Sequence, residues 1–325
     1  MRNLFLLLLL SLPIGALAAD EQPLPSNWGG WQNRTYGITD ATFESTAFQP
    51  MQVEISGNTI HLLWFENSKD GDGLYRMYYR RSTDLGRTWE QAQVVGTSHE
   101  PQPDNGYYQY QWMAVSGSSV HIIALDNNGY AGPNYVNYVR STDGGKTFTT
   151  RSLRQQGSGD YRPHIAADGQ TVALAFSEYP GSGAYQQWVY SSLDGGSTFN
   201  EAMIEINQEI ADLKVQGNRW ALLGYADGHV YITTSTDGGK HYTTRNIAHV
   251  AANGNSYGGF WTPISTSHMA MNGQTIDVVY IRSLSDGNDG EVNPADDRDH
   301  VIHVRSTDGG ETWSETPPSQ TNADT

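Results

Sequence analysis

One nine-residue phrase recurs five times in this chain of 325 residues, and its spacing leaves few folds open. Arg81 to Trp89 reads RSTDLGRTW, and Arg140 to Phe148 reads RSTDGGKTF. Ser191 to Phe199 reads SSLDGGSTF, Thr234 to Tyr242 reads TSTDGGKHY, and Arg305 to Trp313 reads RSTDGGETW. The shared pattern is S-x-D-x-G-x-T-aromatic, broken only where His241 replaces the threonine. Successive aspartates lie 59, 51, 43 and 71 residues apart. Repeats of about 40–50 residues with loop insertions are typical of propeller blades.

Each position in the phrase has a mechanical reason. A short aspartate accepts hydrogen bonds from nearby backbone N–H groups and closes a tight turn. Glycine supplies a positive φ where a side chain would clash. The hydroxyls bind the turn backbone locally. The terminal aromatic folds back to pin the loop. The phrase therefore reads as a hairpin corner, and its aspartates as structural.

The flanks read as strands by alternation and by β-branched or aromatic content. In the third repeat, strands are expected over 161–167, 171–178, 187–192 and 201–207, with a turn at Asp168-Gly169. The same order begins near residues 48, 109, 209 and 264. The expected fold is all-β, a propeller of four-stranded antiparallel blades, with five blades and six as the alternative count. Residues 48–325 form that domain. Residues 19–47 supply a closing strand or a cap.

Residues 1–18 read as a signal peptide. Met1 to Asn3 carries a positive charge, Leu4 to Leu12 is apolar, and Ala16-Leu17-Ala18 offers a cleavage site. The apolar core is too short to span a bilayer. A secreted or periplasmic protein is expected, with no stable membrane insertion. Cysteine is absent, so packing must hold the fold without disulfides. The net charge of −16 disfavours nucleic acid as a partner. The 19 Tyr and 9 Trp suit strands and leave flat faces for stacking on sugars.

The five phrases resemble the Asp boxes, or BNR repeats, of the sialidase-like superfamily, and the resemblance covers about residues 48 to 316. It implies that the boxes lie on the face away from an active site. Sialidases also carry an arginine trio for the substrate carboxylate, a Tyr–Glu nucleophile pair, an acid/base Asp and an F/Y-R-I-P phrase. This chain departs from that set. Its nearest phrase is Tyr161-Arg162-Pro163-His164, in the third repeat. Asn207-Gln208-Glu209 is loosely similar to a sialidase N-E phrase, and Asp227 stands near the place of an arginine. No complete arginine trio can be assigned.

Aligning the repeats on the glycine after each first strand (Gly57, Gly117, Gly169, Gly217 and Gly273) makes the opposite face readable. Nine residues further on lie Glu66, Asp126, Glu178, Ala226 and Arg282, with Asp227 beside Ala226. Four second strands thus end in or beside a carboxylate. Such groups could serve as acid and nucleophile in glycoside hydrolysis, could bind Ca²⁺, or could be solvated strand ends. Glu178 and Asp126 are the leading acid/base and nucleophile candidates, with Glu66 assisting. Tyr257 with Glu209 is a second nucleophile pair by resemblance. Arg162 and Arg282 are candidates to clamp an acidic or polar sugar. Asp227, Trp112 and Trp261 complete the substrate-binding candidates. No cofactor is expected. An acidic stretch from Asp286 to Asp299 offers oxygen ligands for Ca²⁺ without EF-hand spacing. His61 and His121 read as blade-packing residues. The expected function is exo-type glycoside hydrolysis on carbohydrate or glycoconjugates, and the alternative is a non-catalytic glycan-binding or protein-docking propeller.

Overall fold

The computed structural model describes residues 51–66, 73–99, 112–126, 134–156, 163–178, 186–204, 209–226, 229–249, 268–284 and 298–316. The segments 1–18 and 19–47 lie outside the described residues. The described chain is all β, in five four-stranded antiparallel sheets. Blade 1 comprises β1 (Met51–Ser56), β2 (Thr59–Glu66), β3 (Tyr75–Ser82) and β4 (Gln93–Ser98). Blade 2 comprises β5 (Met113–Ser116), β6 (Ser119–Asp126), β7 (Asn134–Ser141) and β8 (Thr149–Gln156). Blade 3 comprises β9 (His164–Asp168), β10 (Thr171–Glu178), β11 (Gln186–Ser192) and β12 (Asn200–Ile204). Blade 4 comprises β13 (Glu209–Gln216), β14 (Arg219–Ala226), β15 (His229–Ser235) and β16 (Thr243–His249). Blade 5 comprises β17 (His268–Asn272), β18 (Thr275–Leu284), β19 (Arg298–Ser306) and β20 (Ser314–Thr316). Each sheet runs in chain order, and first strands of consecutive blades touch, as in a five-bladed propeller.

The third repeat falls close to its expected layout. Its second strand matches 171–178, and its first begins at His164 rather than Tyr161. The five alignment glycines all have φ between 57° and 62°. They open two-residue hairpin turns that require a positive φ at the first central position.

The repeated phrase is one hydrogen-bond device used five times. In blade 1 the Gly86 N–H donates to Ser82 Oγ at 2.7 Å, and Ser82 Oγ donates to Asp84 Oδ1 at 2.8 Å. The Thr88 N–H reaches Asp84 Oδ1 at 2.8 Å, and Thr88 Oγ1 donates to Asp84 Oδ2 at 2.6 Å. Where threonine is missing, His241 Nδ1 stands 2.6 Å from Asp237 Oδ2 and takes its place. These bonds, led by those from Thr88, hold the Asp84 carboxyl down at about 2. Asp143, Asp194 and Asp308 are also held low by hydrogen bonds from Thr147, Thr198 and Thr312. Depressed carboxyl pKa values contribute stability that is present above the unfolded value of 3.8 and lost as pH falls through the folded value. The corners should therefore lose this stabilising contribution progressively as pH falls from about 4 to about 2, read as a falling urea midpoint across that window.

Blades are stitched in sequence by backbone-directed side chains. Ser56 Oγ donates to the Gly117 carbonyl at 2.8 Å. The Gly169 N–H donates to Ser116 Oγ, that of Gly217 to Asp168 Oδ2, and that of Gly273 to Gln216 Oε1. On the outer strands, Arg81 donates to the Gly144 carbonyl, and Ser191 Oγ to the Gly238 carbonyl at 2.8 Å. The side chains between these stitches are apolar and buried, as with Leu63, Phe65, Ile123 and Leu125. As expected, His61 and His121 pack in these seams, each 2.6 Å from a tyrosine hydroxyl, Tyr79 and Tyr138 respectively.

Blade 5 ends the series differently. The face that would meet a next blade carries Asp277, which accepts from His303 Nε2 at 2.7 Å and Arg305 Nε at 2.6 Å. Val279 and Val301 on that face are 37% and 65% exposed.

Two stability changes follow. Leu85 occupies φ 59°, where the other four repeats have glycine, and it is half exposed. Leu85→Gly should raise stability by up to about 1 kcal/mol in urea unfolding, by relieving left-handed strain. Ser192→Ala leaves the buried Gly196 N–H without its acceptor. It should cost about 1–3 kcal/mol by the same measurement.

Candidate functional site

The corner phrases connect third to fourth strands, so the second strands end on the opposite face. β2, β6 and β10 finish on Glu66, Asp126 and Glu178. β14 finishes on Ala226, and Arg282 lies in β18 opposite His300. The internal alignment thus brings three carboxylate residues to equivalent strand ends of three consecutive blades. For Glu66, Glu209 and Arg282 the backbone position is described. Arg162, Asp227, Tyr257 and Trp261 lie outside the described residues.

The two carboxylates with described side chains are each met by a base from the preceding blade. Asp126 Oδ1 lies 3.3 Å from Nδ1 of His99, just after β4, and the Asp126 side chain is 28% exposed. Glu178 Oε2 accepts from Arg154 Nε of β8 at 3.0 Å, and the Glu178 side chain is only 10% exposed. Arg154 also donates to Glu201 Oε1 at 3.2 Å. Its guanidinium lies 3.6 Å from the centroid of the Trp188 ring. Stacking and a forked donor set are what arginine offers that lysine does not. The nearby Tyr190 hydroxyl is pushed up to about 12, first by burial and then by the neighbouring Glu201 carboxylate.

This arrangement separates two kinds of acid. Glu178 is sunk into the seam between blades 2 and 3, with one oxygen committed to Arg154. Asp126 is more open and faces the His99 imidazole. A carboxylate–imidazole pair at a strand end can polarise a hydroxyl or hold a sugar hydroxyl by hydrogen bonding.

Trp112 does not belong to this face. It is fully buried, packed edge-on against Phe65 with ring centroids 4.9 Å apart. Gln52 Oε1 accepts from the backbone N–H of both Trp112 and Met113, at 2.6 and 2.7 Å. Trp112 is therefore a wedge between blades 1 and 2, and the expectation of a sugar-stacking role is corrected. Its place at the start of a first strand, five residues before the turn glycine, is an interior position in the repeat.

Arg154, His99, Trp188 and Glu201 were not singled out from the sequence. The first two sit on or just beyond fourth strands, which the alignment of second strands does not compare. Among the described residues no three His, Asp or Glu side chains converge as a metal site would require. Residues 286–297 of the acidic stretch lie outside the described residues.

The BNR/Asp-box repeat family matches residues 304–315. A sialidase of Micromonospora viridifaciens is 28% identical over 207 residues, which is 53% of this chain and 32% of that protein. The chain thus spans about a third of the length of that relative. Among solved structures, Trypanosoma rangeli sialidase in complex with the inhibitor DANA is 12% identical, covering 83% of this chain and 48% of its own, with a TM-score of 0.45. Penicillium chrysogenum α-L-arabinanase complexed with arabinobiose is 15% identical, covering 80% and 77%, with a TM-score of 0.43.

The buried ion pair makes a clear prediction. Arg154→Ala removes the partner of Glu178 and Glu201 together with the cover over Trp188. It should cost about 3–5 kcal/mol in urea unfolding, because it strands a nearly buried carboxylate. Five repeats of one hydrogen-bonded corner, the repeat match at the last of them and the sialidase likeness over half the chain support a sialidase-like Asp-box propeller.

Proposed function

We propose that this protein is a secreted propeller that acts on glycans as an exo-type glycoside hydrolase, at the face opposite the Asp boxes. The observation that carries the reading is the row of carboxylate residues ending β2, β6 and β10. The likeness to a sialidase supports carbohydrate as the substrate class. Two carboxyl groups flanking a glycosidic bond are the commonest apparatus for its hydrolysis.

In this reading Asp126 is the more available acid or nucleophile, because its side chain is partly open and faces His99. Glu66 ends the neighbouring second strand of blade 1 and supplies the second carboxyl. Glu178, with Arg154 across it, holds the adjoining seam rigid and presents a fixed negative charge. Arg162, Arg282, Asp227 and Trp261 are substrate-contact candidates. Tyr257 with Glu209 remains the alternative nucleophile pair by resemblance.

A second reading is favoured by one observation. Glu178 is engaged by Arg154, as a seam residue of a non-catalytic glycan-binding propeller would be. The two readings separate in one experiment. Release of fluorophore from a panel of aryl glycosides, including a sialoside, is measured for wild type, Asp126→Asn and Glu178→Gln. The hydrolase reading expects turnover on at least one substrate and a loss of about 10²-fold or more in kcat for Asp126→Asn. No turnover on any glycoside, with retention on a glycan array, establishes the binding reading instead.

A further inference from the structure

Blade 5 carries a row of polar groups that neither the corners nor the candidate site uses. Six residues after each turn glycine, the second strand is paired with one residue of the third. In blades 1 to 4 that residue is Tyr79, Tyr138, Val189 and Ile232, each buried. In blade 5 it is His303, whose side chain is 31% exposed. In blades 1 and 2 the tyrosine hydroxyl meets a buried histidine at 2.6 Å, His61 or His121, four residues after the glycine. Blade 5 keeps this pairing and changes its chemistry, with Asp277 in the place of the histidine and His303 in that of the tyrosine. The fourth-strand residue paired with this position is Gln93, Arg151, Ala202 and Arg245 in blades 1 to 4. In blade 5 it is Thr316, a hydroxyl.

The three side chains are linked in order. Asp277 Oδ1 accepts from His303 Nε2 at 2.7 Å, and His303 Nδ1 stands 3.1 Å from Thr316 Oγ1. A proton held on Nε2 by the carboxylate leaves Nδ1 as the acceptor for the threonine hydroxyl. Arg305 Nε donates to the same carboxylate oxygen at 2.6 Å, and this bond leads the causes that hold Asp277 below its ordinary value. Thr316 lies on β20, whose three residues are all exposed, so its hydroxyl is open to reagents from solvent. Val279, paired with His303, and Val301, two residues before it, are the exposed apolar groups beside the row. A hydroxyl, an imidazole and a carboxylate joined in this order supply a nucleophile, its base and the group that orients the base. Such a set is recognised by geometry and not by its order in the chain.

We propose that Thr316, His303 and Asp277 form a second reactive site, on the open face of blade 5, that hydrolyses small carboxylic esters through an acyl-threonine. His303 Nδ1 takes the proton of Thr316 Oγ1 as that oxygen bonds to the ester carbonyl carbon. The bond from this carbon to the leaving oxygen breaks, and the departing alcohol takes the proton from His303. Water then attacks the acyl-threonine while His303 removes one of its protons. That proton passes to Thr316 Oγ1 as the carboxylic acid leaves. Asp277 is a positioning residue, which fixes the tautomer of His303 and offsets the charge of its imidazolium form. Arg305 holds Asp277 in place. The two exposed valines suit a short acyl chain, and a secondary hydroxyl in contact with solvent suits esters with good leaving groups. The site shares no residue with the candidate glycan site and does not depend on glycoside hydrolysis.

The full chain is mixed with p-nitrophenyl acetate, p-nitrophenolate release is followed, and the acetylated residue is located by peptide mass spectrometry. Wild type should release p-nitrophenolate faster than buffer and carry an acetyl group on Thr316. Thr316→Val, which keeps the shape of the side chain, and His303→Gln should each cut the protein-dependent rate by about tenfold or more, with urea midpoints confirming that both are folded. Thr316→Ser should retain turnover. Asp277→Asn should lower the rate and move the acid limb of its pH profile to lower pH, because the imidazolium loses its counter-charge. A merely structural role for Asp277 would leave that limb where it is. Equal rates for wild type and Thr316→Val overturn the proposal. So does acetyl found only on residues other than Thr316, or the absence of any protein-dependent release.

Discussion

The bond from a glycine N–H to the serine hydroxyl two residues before the box aspartate is the contact on which the rest of the structure depends. It turns β3 into β4, and its equivalents do so in every other blade. The aspartate then gathers the serine hydroxyl and the following threonine, so the corner is closed from both sides. Being closed, it presents its own backbone outward. The neighbouring blade uses that backbone as a docking point, with Arg81 on Gly144 and Ser191 on Gly238. One local motif thus fixes both the shape of a blade and the height at which the next one sits.

Fixing that height has a consequence on the far face. Second strands of blades 1, 2 and 3 end at the same count from their turn glycines, each on a carboxylate residue. The surroundings of Asp126 and Glu178 are not equivalent, because the preceding blade offers a different base to each. Arg154 is long and planar enough to bridge Glu178 and Glu201 while covering Trp188. His99 reaches Asp126 at a looser 3.3 Å. Packing energetics therefore sort the carboxylates. The one gripped by arginine serves the seam, and the more open one is available to a ligand.

Much of the fold was legible because its signals are local and repeated. The Ser-x-Asp-x-Gly phrase, the turn glycines and the alternating strands each follow from short-range sterics and hydrogen bonding. Even the exception at His241 was visible, and the imidazole fills the place of the threonine hydroxyl. The strand-end positions of Glu66, Asp126 and Glu178 were legible by counting from those glycines. Their partners were not. Arg154 and Glu178 lie 24 residues apart on different blades, and their pairing depends on how one sheet is rotated against the next. Trp112 failed for the related reason that an aromatic at the start of a strand looks alike whether it faces a ligand or wedges between sheets.

The central claim is that the carboxylate-bearing strand ends, on the face away from the Asp boxes, form the carbohydrate site. A crystal structure of the protein with a bound oligosaccharide, selected by glycan array, tests it most directly. The account predicts sugar hydroxyls within hydrogen-bond distance of Asp126, with the Arg154–Glu178 pair intact beside it. A glycan seated instead on the Asp-box face, or on the outer flank of blade 5 at Asp277 and Arg305, contradicts it.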